Sequence, residues 1–343
     1  MPRRFLLLAL LLPIPGALVA EDTTGTSSGD ETTGGTERFW DYQEVSPAEI
    51  TEEEGLLSRG MGSLLSTTHR FGRWLDRALG GESLDARPTR TRAKLTVWRY
   101  DEVAGGFDDS QIRFNVRMSL PRLEKRLSLF LTNDLDEGLA TSSSGAVFPQ
   151  ETVSEDTYLG VNVLPPFRKW IPGLRGRAGV RIRGGELGLF VEPRHVWRAD
   201  FPVWSVTTQA RLRYSTLQGW DTSLVANFDR ALSTPNQYLR WNGEARWSEE
   251  SAEETGREFF LRVMMLDRLA RREALIYEWN NHLVSEPGNR LESSALVLRY
   301  RRQIWKRWLF LELAPQVVFR EELEYDPTVA LLLKMEMLMQ RSD

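Results

Sequence analysis

The feature that most constrains the fold of this chain is an alternation of apolar and polar residues, repeated from residue 91 to the C-terminal end. In the stretch QIRFNVRMSL, residues 111–120, every second residue is apolar and every intervening residue is polar. A period of two places the apolar side chains on one face of a β-strand. About fourteen such segments follow one another without a helical pattern between them, so we predict one antiparallel sheet.

The alternation by itself fits two architectures. A soluble sandwich would turn the apolar face inward, whereas an outer-membrane barrel would turn it outward to lipid. The segments have roughly 9–12 residues, which matches a tilted membrane strand of about 9–11 residues better than a soluble strand of about 5–6. Aromatic residues on the apolar face also lie near segment ends, where interfacial girdles form: Trp204, Tyr214, Trp220, Trp247, Trp279, Tyr300 and Phe319.

The connections between the segments separate into an acidic set and a basic set. The seven odd-numbered connections carry 22 acidic residues and two basic ones, whereas the six even-numbered turns carry 14 basic residues and five acidic ones. Antiparallel strands bring the two sets to opposite ends of the sheet. A soluble sandwich has no physical reason for this sorting of charge. We therefore predict that residues 91–343 form a membrane barrel. Its strand number is 12–14, because Pro193 and Pro315 interrupt two candidate strands.

The region before the alternation predicts export and a helical segment. Residues 1–20, MPRRFLLLALLLPIPGALVA, combine two arginines, an apolar core and small residues, which is typical of a secretory signal peptide. Residues 21–45 are rich in Gly, Ser, Thr and acids and predict a flexible linker. Residues 46–88 predict an amphipathic helical segment, in the periplasm or as a plug, because apolar residues recur at helical spacing: Leu56, Leu57, Met61, Leu64, Leu65, Phe71, Leu75, Ala78 and Leu79.

Composition excludes several kinds of chemistry. The chain has no cysteine, so disulfides, thiolate catalysis and cysteine metal sites are excluded. The net charge of −4 gives no support to a nucleic-acid partner, and we expect no cofactor and no metal. A hydrolase acting on lipid or peptide at the outer leaflet stays open as an alternative. Its candidate residues are Ser205 with His195, or Asp108 and Asp109 with His282.

The last predicted strand, TVALLLKMEMLM, resembles the C-terminal strand of Gram-negative outer-membrane proteins. The resemblance implies a β-barrel in the outer membrane whose last strand is recognised by the barrel-assembly machinery. The terminal aromatic residue that is usual in that family is absent, since Met339 stands in its place and QRSD follows. The resemblance covers the barrel region as an architecture and extends to no characterised subfamily. In that setting the acidic end would face outward and contact lipid and lipopolysaccharide through divalent cations.

The polar face of the predicted strands is rich in arginine. An excess of arginine in a confined lumen favours anions by focusing the field, so we predict a narrow, porin-like passive channel or transporter for small anionic solutes. The alternative is a structural barrel filled by ion pairs, which Arg240, Glu244 and Arg246 are suited to form, because unpaired buried charges are costly. The candidates for lining the lumen are Arg113, Arg117, Arg175, Arg177, Arg181, Arg183, Arg211, Arg213, Arg240, Glu244, Arg246, Glu312 and Glu336.

Overall fold

The computed structural model describes residues 48–49, 90–103, 108–119, 127–134, 156–163, 171–234, 236–270, 272–304 and 308–342. Almost all of them lie in strands. The strands are β1 Ala48–Glu49, β2 Arg90–Glu102, β3 Asp108–Ser119, β4 Leu127–Thr132, β5 Thr157–Val163, β6 Leu174–Arg183, β7 Glu186–Asp200, β8 Ser205–Ser215, β9 Gly219–Ala231, β10 Gln237–Ser248, β11 Arg257–Ala270, β12 Glu273–Val284, β13 Arg290–Gln303, β14 Leu309–Arg320 and β15 Thr328–Ser342, with a 3-10 turn at Glu321–Leu323.

Strands β2 to β15 form a closed barrel of fourteen strands. Each strand is antiparallel to the next along the chain, and β15 pairs with β2 from Ala330 opposite Glu102 to Ser342 opposite Arg90. The wall therefore closes on itself, which removes the unpaired backbone edges that an open sheet would expose. The predicted antiparallel barrel of 12–14 strands is confirmed, at the upper end of that range.

The two prolines that interrupt the sequence pattern lie inside strands. Pro193 pairs with Gly176 of β6, and the pairing of β7 with β8 lapses between Val191 and Arg194. Pro315 of β14 pairs with Leu331 of β15, and the pairing with β13 lapses at its level. A proline has no N–H for the ladder, so each strand loses pairing on one side and continues. Neither proline ends a strand.

The two faces of the barrel wall differ in chemical character. Large apolar side chains alternate along the outer face and stay exposed, for example Ile112 at 61%, Leu187 at 71% and Leu224 at 53%. The positions between them face the interior and are mostly buried, as Asn227 is at 1%. So much contiguous apolar surface on a closed barrel marks a contact with lipid. A soluble sandwich with an inward apolar face does not describe this chain.

Most of the aromatic residues predicted for the interfacial girdles lie near strand ends, and Trp279 is the exception. It lies in the middle of β12 on the outer face, opposite Leu296 of β13. Its indole N–H donates to the Ser294 hydroxyl at 3.2 Å, and that hydroxyl donates to the Asn281 side chain at 3.0 Å. Because an unpaired N–H would be costly in lipid, this hydrogen bond accounts for an indole placed away from the interface.

The predicted segments before the barrel lie almost entirely outside the described residues. The signal peptide, the linker and most of the helical segment at 46–88 stay predictions. Within that segment only Ala48–Glu49 is described, and it forms a short strand parallel to β15 opposite Met339 and Gln340. A helix at those two positions is therefore not what the structure has. In the described part of the chain, no helix has the length and apolar character needed to cross a bilayer.

The acidic and basic connections lie at opposite ends of the barrel. The described loops after β10 and β14 contain Glu249, Glu250, Glu253 and Glu254 in the first case, and Glu321, Glu322, Glu324 and Asp326 in the second. Both loops lie at the same end, because each follows an even-numbered strand of this barrel. At that end Gly184 and Gly185 form the tight turn between β6 and β7, with φ values of 56° and 88°. Such positive φ values favour glycine.

Candidate functional site

The charged side chains of the interior fall into two regions that differ in their balance of positive and negative charge. We call the first the arginine wall; it comprises seven inward arginines of β6, β7 and β8: Arg175, Arg177, Arg181, Arg183, Arg194, Arg211 and Arg213. Arg198, near the end of β7, is paired with Asp200 at 3.2 Å and is not counted in it. We call the second the paired network; it comprises inward residues of β2 and of β12 to β15: Lys94, Glu278, Arg299, Arg301, Glu312, Lys334 and Glu336. The two regions lie on different arcs of the same barrel.

In the paired network every carboxylate is shared by at least one arginine. Arg299 binds Glu278 through two hydrogen bonds of 3.0 and 3.1 Å and also binds Glu312. Arg301 joins Glu312 at 3.2 Å to Glu336 at 2.7 Å. Lysines complete the network: Lys334 lies 3.7 Å from Glu312, and Lys94 lies 3.3 Å from Glu336. Four cations meet three carboxylates, so the charge is nearly neutralised inside a region that water scarcely reaches.

In the arginine wall one buried carboxylate, that of Glu192, is shared by three arginines. Glu192 of β7 lies 2.5 Å from Arg194, 2.8 Å from Arg213 and 3.8 Å from Arg177. Glu192 is wholly buried. Its position follows from register, since Glu192 stands directly opposite Arg177 in the pairing of β6 with β7. A single carboxylate therefore meets three guanidinium groups.

The other arginines of the wall have partners at its margins. Arg181 binds Asp156, and Arg183 binds Glu250 at 2.5 Å. Arg211 lies 2.5 Å from Asp221 of β9. Arg175 is exposed and forms no ion pair with a described residue. Among the described residues these seven arginines contact four carboxylates, so positive charge exceeds negative charge within this set.

The arginine wall extends along the length of β6. Arg175 lies near the start of β6, and Arg183 lies at its other end beside the Gly184 turn. Both of these terminal arginines are reached by solvent, and 43% of the Arg183 side chain is exposed. Arg177 and Arg181 lie between them and are far less exposed. Along β6 the wall therefore has buried arginines in the middle and solvent-exposed arginines at both ends.

Several predicted lumen residues bind partners other than those expected. Arg240 makes two hydrogen bonds to Asp229 of β9, at 2.5 and 2.9 Å, and Arg246 lies 3.4 Å from Asp221. Arg240 and Arg246 thus form ion pairs with carboxylates of the facing strand β9, and their pairing with Glu244 stays a prediction. Glu244 is half-buried on the same face of β10.

Two arginines of β3 also belong to the predicted set. Arg113 lies 3.3 Å from Asp134, and its guanidinium lies 5.8 Å from the centroid of the Trp98 ring. Arg117 is exposed and stands opposite Phe130 of β4. They extend the basic surface from the wall toward the first strands of the barrel.

An aromatic cluster lies beside the arginine wall, and sequence reasoning missed it. Phe130, Tyr158 and Phe190 are buried on the inward face of β4, β5 and β7. The Tyr158 and Phe190 rings meet edge to face with their centroids 5.5 Å apart. Gly160 leaves room for the cluster, since a Cβ there would lie 2.9 Å from a Phe130 ring carbon and 2.4 Å from a backbone oxygen. The sequence did indicate this cluster, because its aromatic residues stand at positions where the alternation places polar residues.

The aromatic cluster also contacts arginines. The Arg177 guanidinium lies 5.6 Å from the Phe130 centroid, while the Arg181 and Arg213 guanidiniums lie 5.6 and 6.0 Å from the Tyr158 centroid. Cations at this distance from a ring face are attracted by its quadrupole. The rings therefore help to fix three arginines of the wall in position.

Two charged residues of the wall, Glu192 and Arg194, were also missed by sequence reasoning. Both are adjacent to Pro193, which was interpreted as a break in the strand and left their phase unassigned. The alternation does continue through the proline, because Val191, Pro193 and His195 face outward while Glu192 and Arg194 face inward and are buried. Reading the pattern across the proline would have found them.

The residues proposed for a hydrolase are not brought together. Ser205 is buried on the inner face of β8, whereas His195 lies on the outer face of β7 and contacts the Pro172 carbonyl at 2.9 Å. Asp108 and Asp109 are on β3, and His282 is on β12 across the intervening strands β13, β14, β15 and β2. Neither arrangement supplies a nucleophile with a base at hydrogen-bonding distance.

His282 instead lies between two carboxylates. Its ring is stacked on Phe260 with centroids 4.3 Å apart, and its nitrogens lie 3.0 Å from Glu292 and 3.5 Å from Glu258. Glu292 reaches this position because a bulge interrupts the pairing of β12 with β13 at this level. Among the residues that the structure describes, no group of three or more potential ligands could hold a metal ion.

The closed wall, the exposed apolar outer face and the charged interior together decide the class of protein. The molecule has the architecture of a Gram-negative outer-membrane β-barrel. No protein-family model matches the chain, and no curated protein matches it.

Solved outer-membrane proteins resemble it only at low similarity. The outer membrane protein OpdK from Pseudomonas aeruginosa is 7% identical with a TM-score of 0.43, over 74% of this chain and 99% of that one. An outer membrane channel from Pseudomonas putida F1 is 12% identical with a TM-score of 0.36, over 75% and 97%. A bacterial polysaccharide outer membrane secretin is 8% identical with a TM-score of 0.40, over 75% and 99%.

Proposed function

We propose that this protein lies in the outer membrane and conducts small anionic solutes passively along the arginine wall. The proposal is supported by the charge balance of the arginine wall, whose seven arginines contact four carboxylates among the described residues. A line of positive charge inside a low-dielectric wall lowers the energy of an anion and raises that of a cation. The solvent-reached arginines at both ends would provide entry and exit.

The second candidate function is that of a structural barrel without a conducting path. The paired network favours it, because its cations and carboxylates are buried and hydrogen-bonded to one another. Ion pairs of this kind can fill an interior and fix its packing. The two candidates differ in one measurable property, since only the first predicts a current across a bilayer.

Contacts with the cell envelope are part of the same proposal. The acidic loops after β10 and β14 would face outward and bind lipopolysaccharide through divalent cations, since carboxylates are suitable oxygen ligands. The C-terminal strand, which ends near Met339, would be read by the barrel-assembly machinery. Export through the signal peptide at residues 1–20 would deliver the chain to the periplasm.

Planar-bilayer recording of the purified, folded protein tests the function. We expect discrete conductance with anion preference, and we expect that preference to fall when Arg175, Arg177 and Arg181 are all replaced by glutamine. Retention of heat-modifiable gel migration in the triple variant shows that the barrel still folds. Absence of current at every voltage would reject the channel and favour the structural barrel. Unchanged selectivity in the folded triple variant would reject the arginine wall as its source.

A further inference from the structure

Glu192 is placed as an internal anion among the arginines of the wall. Its Oε1 atom accepts from Arg194 at 2.5 and 3.2 Å, and its Oε2 atom accepts from Arg213 at 2.8 Å. The third cation, Arg177, lies 3.8 Å from Oε1. A carboxylate bound by guanidinium groups on both oxygens occupies the position that a carboxylate or phosphate ligand would take in an arginine site.

The arginines around Glu192 are also held by groups other than Glu192. Arg177 donates from Nε to the Asn162 side chain at 2.9 Å and lies over the Phe130 ring. Arg213 lies over the Tyr158 ring. These contacts position the two guanidinium groups whether or not the Glu192 carboxylate is charged. The site is therefore preorganised for an anion in the sense that its donors need not be assembled by the ligand.

The backbone at Glu192 is held on one side only. Glu192 pairs with Arg177 of β6, whereas the pairing of β7 with β8 lapses at Glu192 and Pro193. Fewer ladder hydrogen bonds make local adjustment of this part of β7 easier than elsewhere in the wall. The carboxylate can therefore shift within the site at a lower cost than one from a fully paired strand.

We propose that Arg177, Arg194 and Arg213 form a binding site for a small anion with carboxylate or phosphate chemistry, and that Glu192 competes with this anion for the site. The inference rests on the proposed anion conduction and adds the residue that limits it. An anion arriving along the wall takes over hydrogen bonds that Glu192 makes. Removal of the Glu192 charge leaves the three guanidinium groups without their internal anion, so the affinity for the arriving anion rises.

The test compares two substitutions that remove one negative charge each. Glu192→Gln removes the carboxylate that three arginines share, and Asp229→Asn removes one that Arg240 binds through two hydrogen bonds. Reversal potentials across a potassium chloride gradient give the ratio of chloride to potassium permeability for each folded variant. We expect Glu192→Gln to raise the ratio about tenfold, as a unit charge removed beside the ion implies in partly screened surroundings. We expect Asp229→Asn to raise this permeability ratio by less than about twofold, since Arg240 lies on β10, outside the wall.

Added anions test the ligand chemistry of the site. Inorganic phosphate or acetate on one side should inhibit the chloride current more strongly in Glu192→Gln than in the wild type. Stronger inhibition by phosphate assigns phosphate chemistry, and stronger inhibition by acetate assigns carboxylate chemistry. Inhibition that is the same in both proteins overturns the site. If Glu192→Gln does not fold, Arg194→Gln in its place must weaken the inhibition, and unchanged inhibition in that variant overturns the site as well.

The outcomes separate this inference from the function on which it rests. A wild-type channel without anion preference, or without current, sinks the proposed function. An anion-selective wild type in which Glu192→Gln behaves like Asp229→Asn keeps the proposed function and overturns only the role of Glu192.

Discussion

The paired network and the arginine wall contain the same residue types but differ in how their charges are balanced. In the network each buried arginine meets two carboxylates, as Arg299 meets Glu278 and Glu312. In the wall Arg177, Arg194 and Arg213 all meet the same carboxylate, that of Glu192. Desolvated charges are tolerated in the first case because they neutralise one another. In the second case the surplus charge creates a field that a balanced set cannot create.

The difference teaches that the arginine content of an interior does not by itself predict its electrostatics. What matters is how many carboxylates each arginine shares and whether solvent reaches the ends of the line. Both regions contain several inward cations, yet only the wall combines excess charge with exposed residues at its two ends. We therefore expect substitutions in the network to change stability first, and substitutions in the wall to change ion selectivity first.

The largest effect on stability is expected from Glu312→Gln in the paired network. The change removes the charge that Arg299, Arg301 and Lys334 share, and it leaves the four cations of the network with two carboxylates. Breaking a buried ion pair costs about 3–5 kcal/mol, so the urea midpoint of unfolding in detergent, followed by tryptophan fluorescence, should fall clearly.

The matched control for that experiment is Glu273→Gln. Glu273 lies 3.1 Å from Arg302 in an ion pair that is largely exposed, and exposed pairs contribute about 0–1 kcal/mol. Equal losses of stability in Glu312→Gln and Glu273→Gln would contradict the structural role of the network.

A smaller loss of stability is expected from Arg213→Gln in the arginine wall. Glu192 keeps Arg194 and Arg177 in this variant, so no buried carboxylate is left without a cation. The lost charged hydrogen bond corresponds to about 1.5–3 kcal/mol. The same unfolding measurement checks this value, and bilayer recording should show a lower chloride to potassium permeability ratio. A stability loss larger than that of Glu312→Gln would remove the distinction between the two regions.

The smallest effect on stability is expected from Arg175→Gln. Arg175 is exposed and forms no ion pair among the described residues, and such surface changes fall within about 0.5 kcal/mol. Its position at one end of the wall predicts that anion preference still decreases, because one charge at the mouth is lost. A variant with wild-type selectivity would show that the exposed end of the wall does not act on the ion.

The barrel itself could be predicted from the sequence because alternation has a direct physical meaning. A strand with one lipid face and one interior face must alternate, and residues 111–120 do so without interruption. The same rule predicted which face carries Arg181 and Arg211. It did not predict the contribution of apolar residues to the interior, where Phe190, Phe260 and Leu332 are buried on the same face as the charges.

The partners of the charged residues could not be predicted because they depend on register. The register of β10 with β9 places Arg240 directly opposite Asp229, a partner that the alternation alone does not identify. Glu192 and Arg194 were missed because Pro193 between them interrupts the alternation. The β-bulge that turns Glu292 toward His282 has no sequence signature of the kind used here. Alternation determines the face of a residue, whereas pairing depends on how neighbouring strands slide past each other.

The most direct test of the central claim is the reversal potential of the wild-type protein in a planar bilayer across a potassium chloride gradient. The excess of arginine on β6 to β8 predicts a potential displaced toward the chloride equilibrium value, with chloride more permeant than potassium. A potential at zero, displaced toward the potassium value, or the absence of any current would contradict the claim that the arginine wall forms an anion path.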